Sequence, residues 1–207
     1  MKISASFLSS NNVPADLKKL NDTDVDYIHV DIMDGKFVPN KTMPFRELKN
    51  IYKFTDKRLD VHLMVTNPEK YIPLYAELNT EYLTFHVETD YVEENLELIK
   101  SYGIKCGLAL KPATPVKALV PYLPLVQMIL VMSVEPGQGG QEFLPETEEK
   151  LRELKELLRV YQSKAVVNVD GGINQETKNG CQDSTILTAG SYIISAADFQ
   201  HQIDSLR

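Results

Sequence analysis

The 207-residue sequence has only two cysteines and no long apolar run, and each shortage excludes a class of protein. No run is long enough to cross a bilayer, because even residues 124–132 form a short stretch that Gln127 interrupts. The first ten residues, MKISASFLSS, lack the continuous apolar stretch of a signal peptide. Cys106 and Cys181 form no CxxC pair and are too few for a disulfide framework. We therefore expect neither a membrane protein nor an exported one, and we expect both thiols to be buried in a cytoplasmic protein.

An excess of basic residues is absent as well. The 29 Asp and Glu outnumber the 22 Lys and Arg, and the formal net charge is −7. This balance argues against a nucleic-acid-binding surface, although it leaves room for a local phosphate site. The hydrophobic fraction of 43% and the charged fraction of 25% are those of an ordinary globular protein. A chain of this length suffices for one well-covered core, so we interpret residues 1–207 as a single domain.

Short β-rich runs alternate along the chain with segments of helical spacing. The clearest helix is predicted over 147–161, and Asn67-Pro68 and Thr114-Pro115 each offer a capping side chain before a proline at the first helical position. Residues 174–183 are polar and allow only a short helix. The eight predicted strands are 3–7, 27–31, 59–64, 82–87, 105–110, 128–133, 165–169 and 184–188.

Strands that alternate with helices indicate parallel pairing through right-handed crossovers, and eight such units can close on themselves. The sequence therefore predicts a (β/α)₈ TIM barrel. The alternative is an open doubly wound sheet, which is disfavoured because no GxGxxG motif opens the first helix.

Polar residues interrupt the predicted strands near their carboxyl ends, where barrels place their active sites. Two-residue alternation puts His29 and Asp31 on one face of the second strand, His62 lies near the end of the third, and Asp170 follows the seventh. One buried strand histidine is usually a satisfied core group. Two histidines and two aspartates together are better explained by a shared cation, since unpartnered buried carboxylates are costly. The set predicts one divalent metal ion and suits Zn²⁺, Fe²⁺, Mn²⁺ or Co²⁺ alike.

Glycine-containing turns follow the last three predicted strands, at 136–141, 170–173 and 189–191. Glycine lets backbone N–H groups approach an anion closely, and barrels commonly bind phosphate in the loops after their final strands. One glycine pair is more often only a tight turn. Three such turns facing the metal residues predict a phosphate site.

Long motifs connect these features. They are Ser6 with Leu8, HVDIMDGKFVPN at 29–40, DVHLMV at 60–65, GLALKPATP at 107–115, VMSVEPGQGGQEF at 131–143 and DGGI at 170–173. Together they resemble the ribulose-phosphate 3-epimerase family. The resemblance implies a barrel of the ribulose-phosphate-binding type, an isomerase of the pentose phosphate pathway, a small sugar phosphate as the partner, and a homo-oligomer.

The resemblance also assigns roles to residues. It implies that Asp31 and Asp170 are the catalytic acid/base pair and that both bind the metal with His29 and His62. The implied substrate-binding residues are Ser6, His62, Gly137, Gln138, Gly139, Gly140, Gly171, Gly172, Gly190 and Ser191. The implied apolar lining is Met33, Met64 and Met132, for which plain core packing is the alternative.

The expected reaction is epimerisation at C3 of a ketose phosphate, first of all D-ribulose 5-phosphate to D-xylulose 5-phosphate. One carboxylate removes a proton from one face, and the other delivers a proton to the opposite face of an enediolate. The sequence leaves open another substrate such as allulose 6-phosphate, and also a non-catalytic barrel that binds a phosphorylated ligand. Decarboxylases and aldolases on related barrels use an Asp-x-Lys-x-x-Asp strand motif, which this sequence lacks.

Three positions depart from the family pattern. Ala5 stands where proline is usual, Gln138 where an aromatic residue is common, and Asn168 where an acid is frequent. We expect Asn168 to alter the groups that hold the metal ligands. The final segment, 192–207, is short for the family and leaves little chain for an eighth helix.

Two further features are expected to support the fold or the site indirectly. His86 and Glu88 share one face at the end of the fourth predicted strand, and we expect them to support the ligands or the structure. His201 falls in the last predicted helix, where a solvated or packing role is expected.

Overall fold

Eight parallel strands pair in chain order, and the first also pairs with the last, so the sheet closes into a barrel. The computed structural model describes all 207 residues apart from the side chain of Tyr52. The predicted (β/α)₈ barrel is confirmed, and the open doubly wound alternative is excluded by the pairing of the first and last strands. The strands are β1 Lys2–Ser6, β2 Tyr27–Met33, β3 Arg58–Met64, β4 Thr80–His86, β5 Lys105–Leu110, β6 Met128–Met132, β7 Val166–Asp170 and β8 Ile186–Ala189.

The connections between strands hold α-helices and short 3₁₀ helices. The predicted helix at 147–161 is confirmed as α5, in which Leu151 and Leu154 are buried. The short helix expected within 174–183 is a single 3₁₀ segment. The α-helices are α1 Val13–Asn21, α2 Phe45–Leu48, α3 Ile72–Ala76, α4 Val92–Ser101, α5 Thr147–Val160, α6 Ser191–Ile194 and α7 Phe199–Leu206, and the 3₁₀ segments are Lys49–Lys53, Pro68–Lys70, Val116–Tyr122 and Thr177–Cys181.

The two predicted helix starts at Asn67-Pro68 and Thr114-Pro115 are correct in place and wrong in detail. The first 3₁₀ segment begins at Pro68 as predicted, but the second begins at Val116, one residue after Pro115. Neither Asn67 nor Thr114 caps its segment through its side chain. The Thr114 hydroxyl instead donates to Oε1 of Glu88 at 2.5 Å.

The strands are covered on both faces, so their outward residues form near-continuous apolar runs and polar residues concentrate inside the barrel. At the amino end of the barrel a layer from the even-numbered strands, Tyr27, Tyr82, Met128 and Ile186, fills the interior. Polar side chains of β2, β3 and β7 therefore meet at the carboxyl end. Cys106 and Cys181 are free and buried, as expected. Among the described residues, no helix combines the length and apolarity needed to cross a membrane.

The short C-terminal segment still completes the outer ring of helices. In α7, Phe199, Ile203 and Leu206 are buried, and Asp198 caps the helix by accepting the N–H of His201. The Arg207 guanidinium then donates to the carboxylate of Asp24, which ties the chain end to the α1–β2 loop. The helix expected after the eighth strand is thus present as α7, in spite of the limited length of this segment.

Candidate active site

The four predicted metal ligands meet at the carboxyl end of the barrel. Parallel pairing of β2 with β3 sets Asp31 beside His62, and β7 ends at Asp170. Nε2 of His29 lies 3.4 Å from Oδ1 of Asp31 and 3.6 Å from Oδ2 of Asp170. Nδ1 of His62 lies 3.4 Å and 3.8 Å from the same two oxygens. One ligand atom from each of the four residues falls within 4.8 Å of the others.

This donor set fits a divalent metal ion. Nε2 of His29 and Nδ1 of His62 are buried and, within the described part of the chain, have no hydrogen-bond partner. Buried polar atoms are rarely left unpartnered, so two such nitrogens aimed at the same pair of carboxylates require an explanation. Ligand atoms about 2 Å from one ion lie roughly 3–4 Å apart, as the four nitrogen–oxygen pairs above do. Nitrogen and carboxylate ligands suit Zn²⁺, Fe²⁺, Mn²⁺ and Co²⁺, and the geometry does not choose among them.

The pKa values of the two aspartates are shifted in opposite directions. Burial acts to raise the pKa of Asp31, but the neighbouring imidazoles, His29 above all, outweigh it and hold that pKa well below the usual range. Burial raises the pKa of Asp170 to about 6, with the nearby negative charge of Asp31 adding to the effect and the two histidines opposing it. One carboxylate thus favours the ionised form and the other binds a proton more readily.

Groups beneath the cavity orient these ligands. Nδ1 of His29 donates to Oδ2 of Asp60 at 2.9 Å, which directs Nε2 toward the site. The Ser6 hydroxyl donates to Oδ2 of Asp31 at 2.9 Å. Sequence reasoning missed Asp60, although two signals were available. It lies two residues before His62 in an apolar strand, and an unpaired buried carboxylate is costly.

A cavity above the ligands unites most of the predicted site. Thirteen of the sixteen predicted residues line it: Ser6, Asp31, Met64, Met132, Gly137, Gln138, Gly139, Gly140, Asp170, Gly171, Gly172, Gly190 and Ser191. His29 and His62 have no exposed side-chain surface and lie behind Asp31. Residues that the sequence did not single out also line the cavity, among them Ser9, Glu135 and Thr188.

Met33 does not line the cavity, contrary to expectation. It is the last residue of β2, and it packs with Val38, Met64 and Phe37 under the loop that follows. Its backbone N–H donates to the Thr42 hydroxyl at 2.8 Å, which holds the strand end against that loop. Met33 thus belongs to the packing of the β2 loop, which was the alternative for each of the three methionines.

The glycine-rich loops pack closely against one another. Gly172 has φ +62°, and a Cβ there would lie 2.5 Å from the backbone nitrogen of Phe143 in the loop after β6. Gly137 has φ +112°, and a Cβ there would lie 2.8 Å from Cβ of Val38 in the loop after β2. The Asn40 amide donates to the carbonyl of Gly137 at 2.7 Å. These glycines let the loops after β2, β6 and β7 pack closely beside the cavity.

A match to a family model shows to which family of barrel proteins this chain belongs. The model of the ribulose-phosphate 3-epimerase family matches residues 2–194. The chain belongs to this family. The expected resemblance is confirmed, and with it the expectation of an enzyme of the isomerase class.

Curated relatives agree with the ribulose-phosphate 3-epimerase family. The cytoplasmic isoform of ribulose-phosphate 3-epimerase from Oryza sativa subsp. japonica is 39% identical over 100% of this chain and 92% of its own length. The ribulose-phosphate 3-epimerase of Mycobacterium bovis is 38% identical over 88% of this chain and 81% of its own. That of Helicobacter pylori strain J99 is 36% identical over 100% of this chain and 97% of its own.

Solved structures support the fold alone. Thiamine phosphate pyrophosphorylase from Pyrococcus furiosus superposes with a TM-score of 0.67 at 15% identity, covering 100% of this chain and 93% of that one. N-(5'-phosphoribosyl)anthranilate isomerase from Pyrococcus furiosus gives 0.63 at 12% identity, covering 100% and 96%.

One departure from the pattern of the ribulose-phosphate 3-epimerase family has a clear structural setting. The Asn168 amide donates to Oδ2 of Asp60 at 3.1 Å, and its oxygen accepts the Thr188 hydroxyl at 3.1 Å. An acid at this position would face a buried carboxylate and would need a proton to do so. Asn168 supplies a donor without one. Ala5 is buried in β1, and Gln138 is exposed in the glycine-rich loop.

Proposed function

We propose that this protein interconverts D-ribulose 5-phosphate and D-xylulose 5-phosphate by epimerisation at C3. The single observation that carries the proposal is the pair Asp31 and Asp170, which line one cavity and lie beside His29 and His62. The printed names of the relatives support the choice of substrate.

The two aspartates act as the acid and the base. Asp31 is ionised over the working pH range and removes the proton beside the substrate carbonyl, because its low pKa keeps it free of its own proton. Asp170, whose pKa is raised to about 6 in the metal-free protein, is proposed to deliver a proton to the opposite face of the carbon. The reverse reaction exchanges the two roles. Ser6, which donates to Asp31, keeps that carboxylate turned toward the cavity.

His29, Asp31, His62 and Asp170 would hold one divalent metal ion, Zn²⁺, Fe²⁺, Mn²⁺ or Co²⁺. When bound, the ion supplies positive charge that stabilises the negative charge developing on the substrate oxygens, with no change of redox state. The buried histidines contribute by fixing both carboxylates in one place, and the surrounding apolar side chains exclude water.

The rest of the cavity holds the sugar phosphate. Its phosphate binds the glycine-rich loops through Gly137, Gln138, Gly139, Gly140, Gly171, Gly172, Gly190 and Ser191, whose glycines let backbone N–H groups come close. Ser6 is proposed to contact the sugar. His62 was expected to do so as well, but its side chain has no exposed surface, so its proposed role is that of a metal ligand. Met64 and Met132 line the cavity near the reacting carbon, where their flexible thioethers fit an apolar substrate face.

The setting of the protein is also a proposal. We propose that residues 1–207 form one domain of a cytoplasmic homo-oligomer, with no membrane or nucleic-acid partner. The rice relative is named a cytoplasmic isoform, and the two free buried thiols suit a reducing compartment.

Solvent deuterium incorporation tests the reaction. In D₂O the enzyme with Zn²⁺, Mn²⁺ or Co²⁺ should place deuterium at C3 of D-ribulose 5-phosphate, and a chelator should stop it. Absence of metal-dependent exchange on any ketose phosphate would overturn the proposal. A higher kcat/KM for allulose 6-phosphate would replace the substrate and keep the chemistry.

Single substitutions test the acid/base roles. Asp31→Asn and Asp170→Asn should each lower the epimerisation rate by roughly 10²- to 10⁴-fold, the usual worth of a positioned acid or base. Circular dichroism should show an unchanged fold, because asparagine keeps the shape of the side chain. Near-normal activity in either variant would remove that residue from the proton transfer.

A further inference from the structure

His62 is connected through a second histidine to a carboxylate outside the metal site. Its Nε2 lies 2.9 Å from Nε2 of His86, and Nδ1 of His86 lies 3.0 Å from Oε2 of Glu88. Neither imidazole has exposed surface, whereas the Glu88 side chain is 21% exposed. The ring of Phe37 packs on His86 with centroids 4.7 Å apart and covers the chain of contacts.

The Glu88 carboxylate is itself held in place. Its Oε1 accepts the backbone N–H of Lys111 at 2.9 Å and the hydroxyl of Thr114 at 2.5 Å. That loop is fixed in turn, because Nζ of Lys150 donates to the carbonyls of Lys111 and Thr114, each at 2.8 Å. The free oxygen of Glu88, Oε2, is therefore a fixed acceptor facing His86.

These contacts determine where the protons lie. A carboxylate can only accept, so Nδ1 of His86 carries a proton, and a neutral His86 then has a lone pair on Nε2. Two nitrogens at hydrogen-bond distance need one donor and one acceptor, so Nε2 of His62 donates to His86. This leaves Nδ1 of His62 with a lone pair, and that is the atom without a hydrogen-bond partner that faces Asp31 and Asp170.

We propose that Glu88, acting through His86, is a positioning residue that fixes His62 in the tautomer able to bind a metal ion through Nδ1. The other histidine of the site, His29, is fixed directly by Asp60. The inference rests on the proposed function only in taking His62 as a metal ligand, and it needs no assumption about the substrate.

Glu88→Gln should reverse the chain of donors. The N–H of Lys111 needs an acceptor, so the amide oxygen stays beside it and the amide N–H₂ group faces Nδ1 of His86. His86 then accepts at Nδ1 and donates from Nε2. The proton of His62 is driven to Nδ1, where it blocks the metal.

Two measurements on the full-length chain follow this change. Long-range ¹H–¹⁵N NMR of the histidine rings should show His62 protonated at Nε2 in the wild type and at Nδ1 in metal-free Glu88→Gln. The Kd for Zn²⁺, measured by competition with a chelator, should rise about 10- to 100-fold. Glu81→Gln is the matched control. It lies in the same strand at the opposite end of the barrel, paired with Arg58 and Lys105, and both quantities should stay at wild-type values.

A second pair of variants keeps the test decisive if Glu88→Gln folds poorly. In His86→Gln the amide can accept from His62 and donate to Glu88, so the Kd for Zn²⁺ should stay near that of the wild type. In His86→Leu it should rise about 10- to 100-fold. Equal Zn²⁺ affinity in these two variants, or a wild-type His62 tautomer in Glu88→Gln, would overturn the proposal. Because both readouts need no substrate, a correct tautomer and Kd in a protein without epimerase activity would count against the proposed function alone.

Discussion

Asp60 is a buried carboxylate that does not line the cavity, yet three donors converge on one of its oxygens. Oδ2 accepts from the Ser4 hydroxyl at 2.9 Å, from Nδ1 of His29 at 2.9 Å and from the Asn168 amide at 3.1 Å. Its other oxygen, Oδ1, has no hydrogen-bond partner among the described residues. The carboxylate therefore supports both the fold and the direction of His29.

Because the three donors share a single oxygen, two substitutions of Asp60 should lower the free energy of unfolding by different amounts. Asp60→Leu leaves three buried donors without an acceptor and should lower the free energy of unfolding by about 3–5 kcal/mol. Asp60→Asn keeps one oxygen for all three, with its amide nitrogen at the unpartnered position, and should lose about 1–3 kcal/mol. Urea unfolding of the metal-free variants measures both. Equal losses would mean that the charge, and not the acceptor, stabilises the site.

Metal binding should release protons, and the pKa values give the direction. Burial lowers the pKa of His29, but Asp31 and Asp60 raise it well above its usual value, so the metal-free imidazole keeps its proton to a higher pH than an ordinary histidine. Metal and proton compete for Nε2, so the affinity for Zn²⁺ should rise about tenfold per pH unit below the raised pKa. Below about pH 6, the pKa of Asp170, a second displaced proton should steepen the slope.

Calorimetric titration of the metal-free protein with Zn²⁺ measures this release. In buffers of different ionisation enthalpy, protons should leave as Zn²⁺ binds, and more of them should leave below pH 6. Asp170→Asn should lose only the additional proton release below pH 6. A Zn²⁺ affinity that is independent of pH between 6 and 7 would show that His29 is neutral in the metal-free protein.

At the scale of elements, the strands were predictable and the short helices were not. Each predicted strand overlaps its observed counterpart, because strands covered on both faces produce short apolar runs bounded by polar turns. The connection after β5 contains Pro121, and its helix is 3₁₀. Helix type there depends on how the segment packs on its neighbours, which local sequence does not encode.

The same division holds in the candidate site. Alternation along β2 and β3 was enough to place His29, Asp31 and His62. The partnership of His29 with Asp60 depends on the register between the two strands, and register is a tertiary feature. Alternation also placed His86 and Glu88 on one face, whereas the contact between His62 and His86 depends on how β3 and β4 pack and has no local signature.

The loops after β6 and β7 act as one unit because Gly172 allows their backbones to touch. Gly172→Ala adds a Cβ 2.5 Å from a backbone atom at φ +62°. Gly103→Ala, the control, has a similar φ of +73° and no atom within 4 Å of the added carbon. The control should lose about 1–2 kcal/mol of stability.

Gly172→Ala should lose more, because the backbone of Phe143 must move as well, and it should raise the KM for the sugar phosphate. Urea unfolding and steady-state kinetics check the pair. An equal rise of KM in Gly172→Ala and Gly103→Ala would show that the contact between the two loops does not affect phosphate binding.

At the scale of the whole molecule, barrel closure couples the two ends of the chain. β1 pairs with β2 and also with β8, so Lys2 lies beside Ile186, which is 184 positions later in the chain. Next to that seam, Arg207 reaches Asp24 and Asp26 in the loop that leads into β2. Every strand has two neighbours, so the sheet has no edge strand. We therefore expect the barrel to unfold as one unit.

A substitution in the last helix should therefore weaken the entire chain. Ile203→Ala opens a cavity at a fully buried site and should lower the free energy of unfolding by about 2–5 kcal/mol. Val160→Ala, at a residue that is 60% exposed, should change it by less than about 0.5 kcal/mol. Far-ultraviolet circular dichroism and tyrosine fluorescence should report one coincident transition in each variant. Two separate transitions would contradict a single domain over residues 1–207, because a closed barrel that has lost one covering helix has no smaller core to retain.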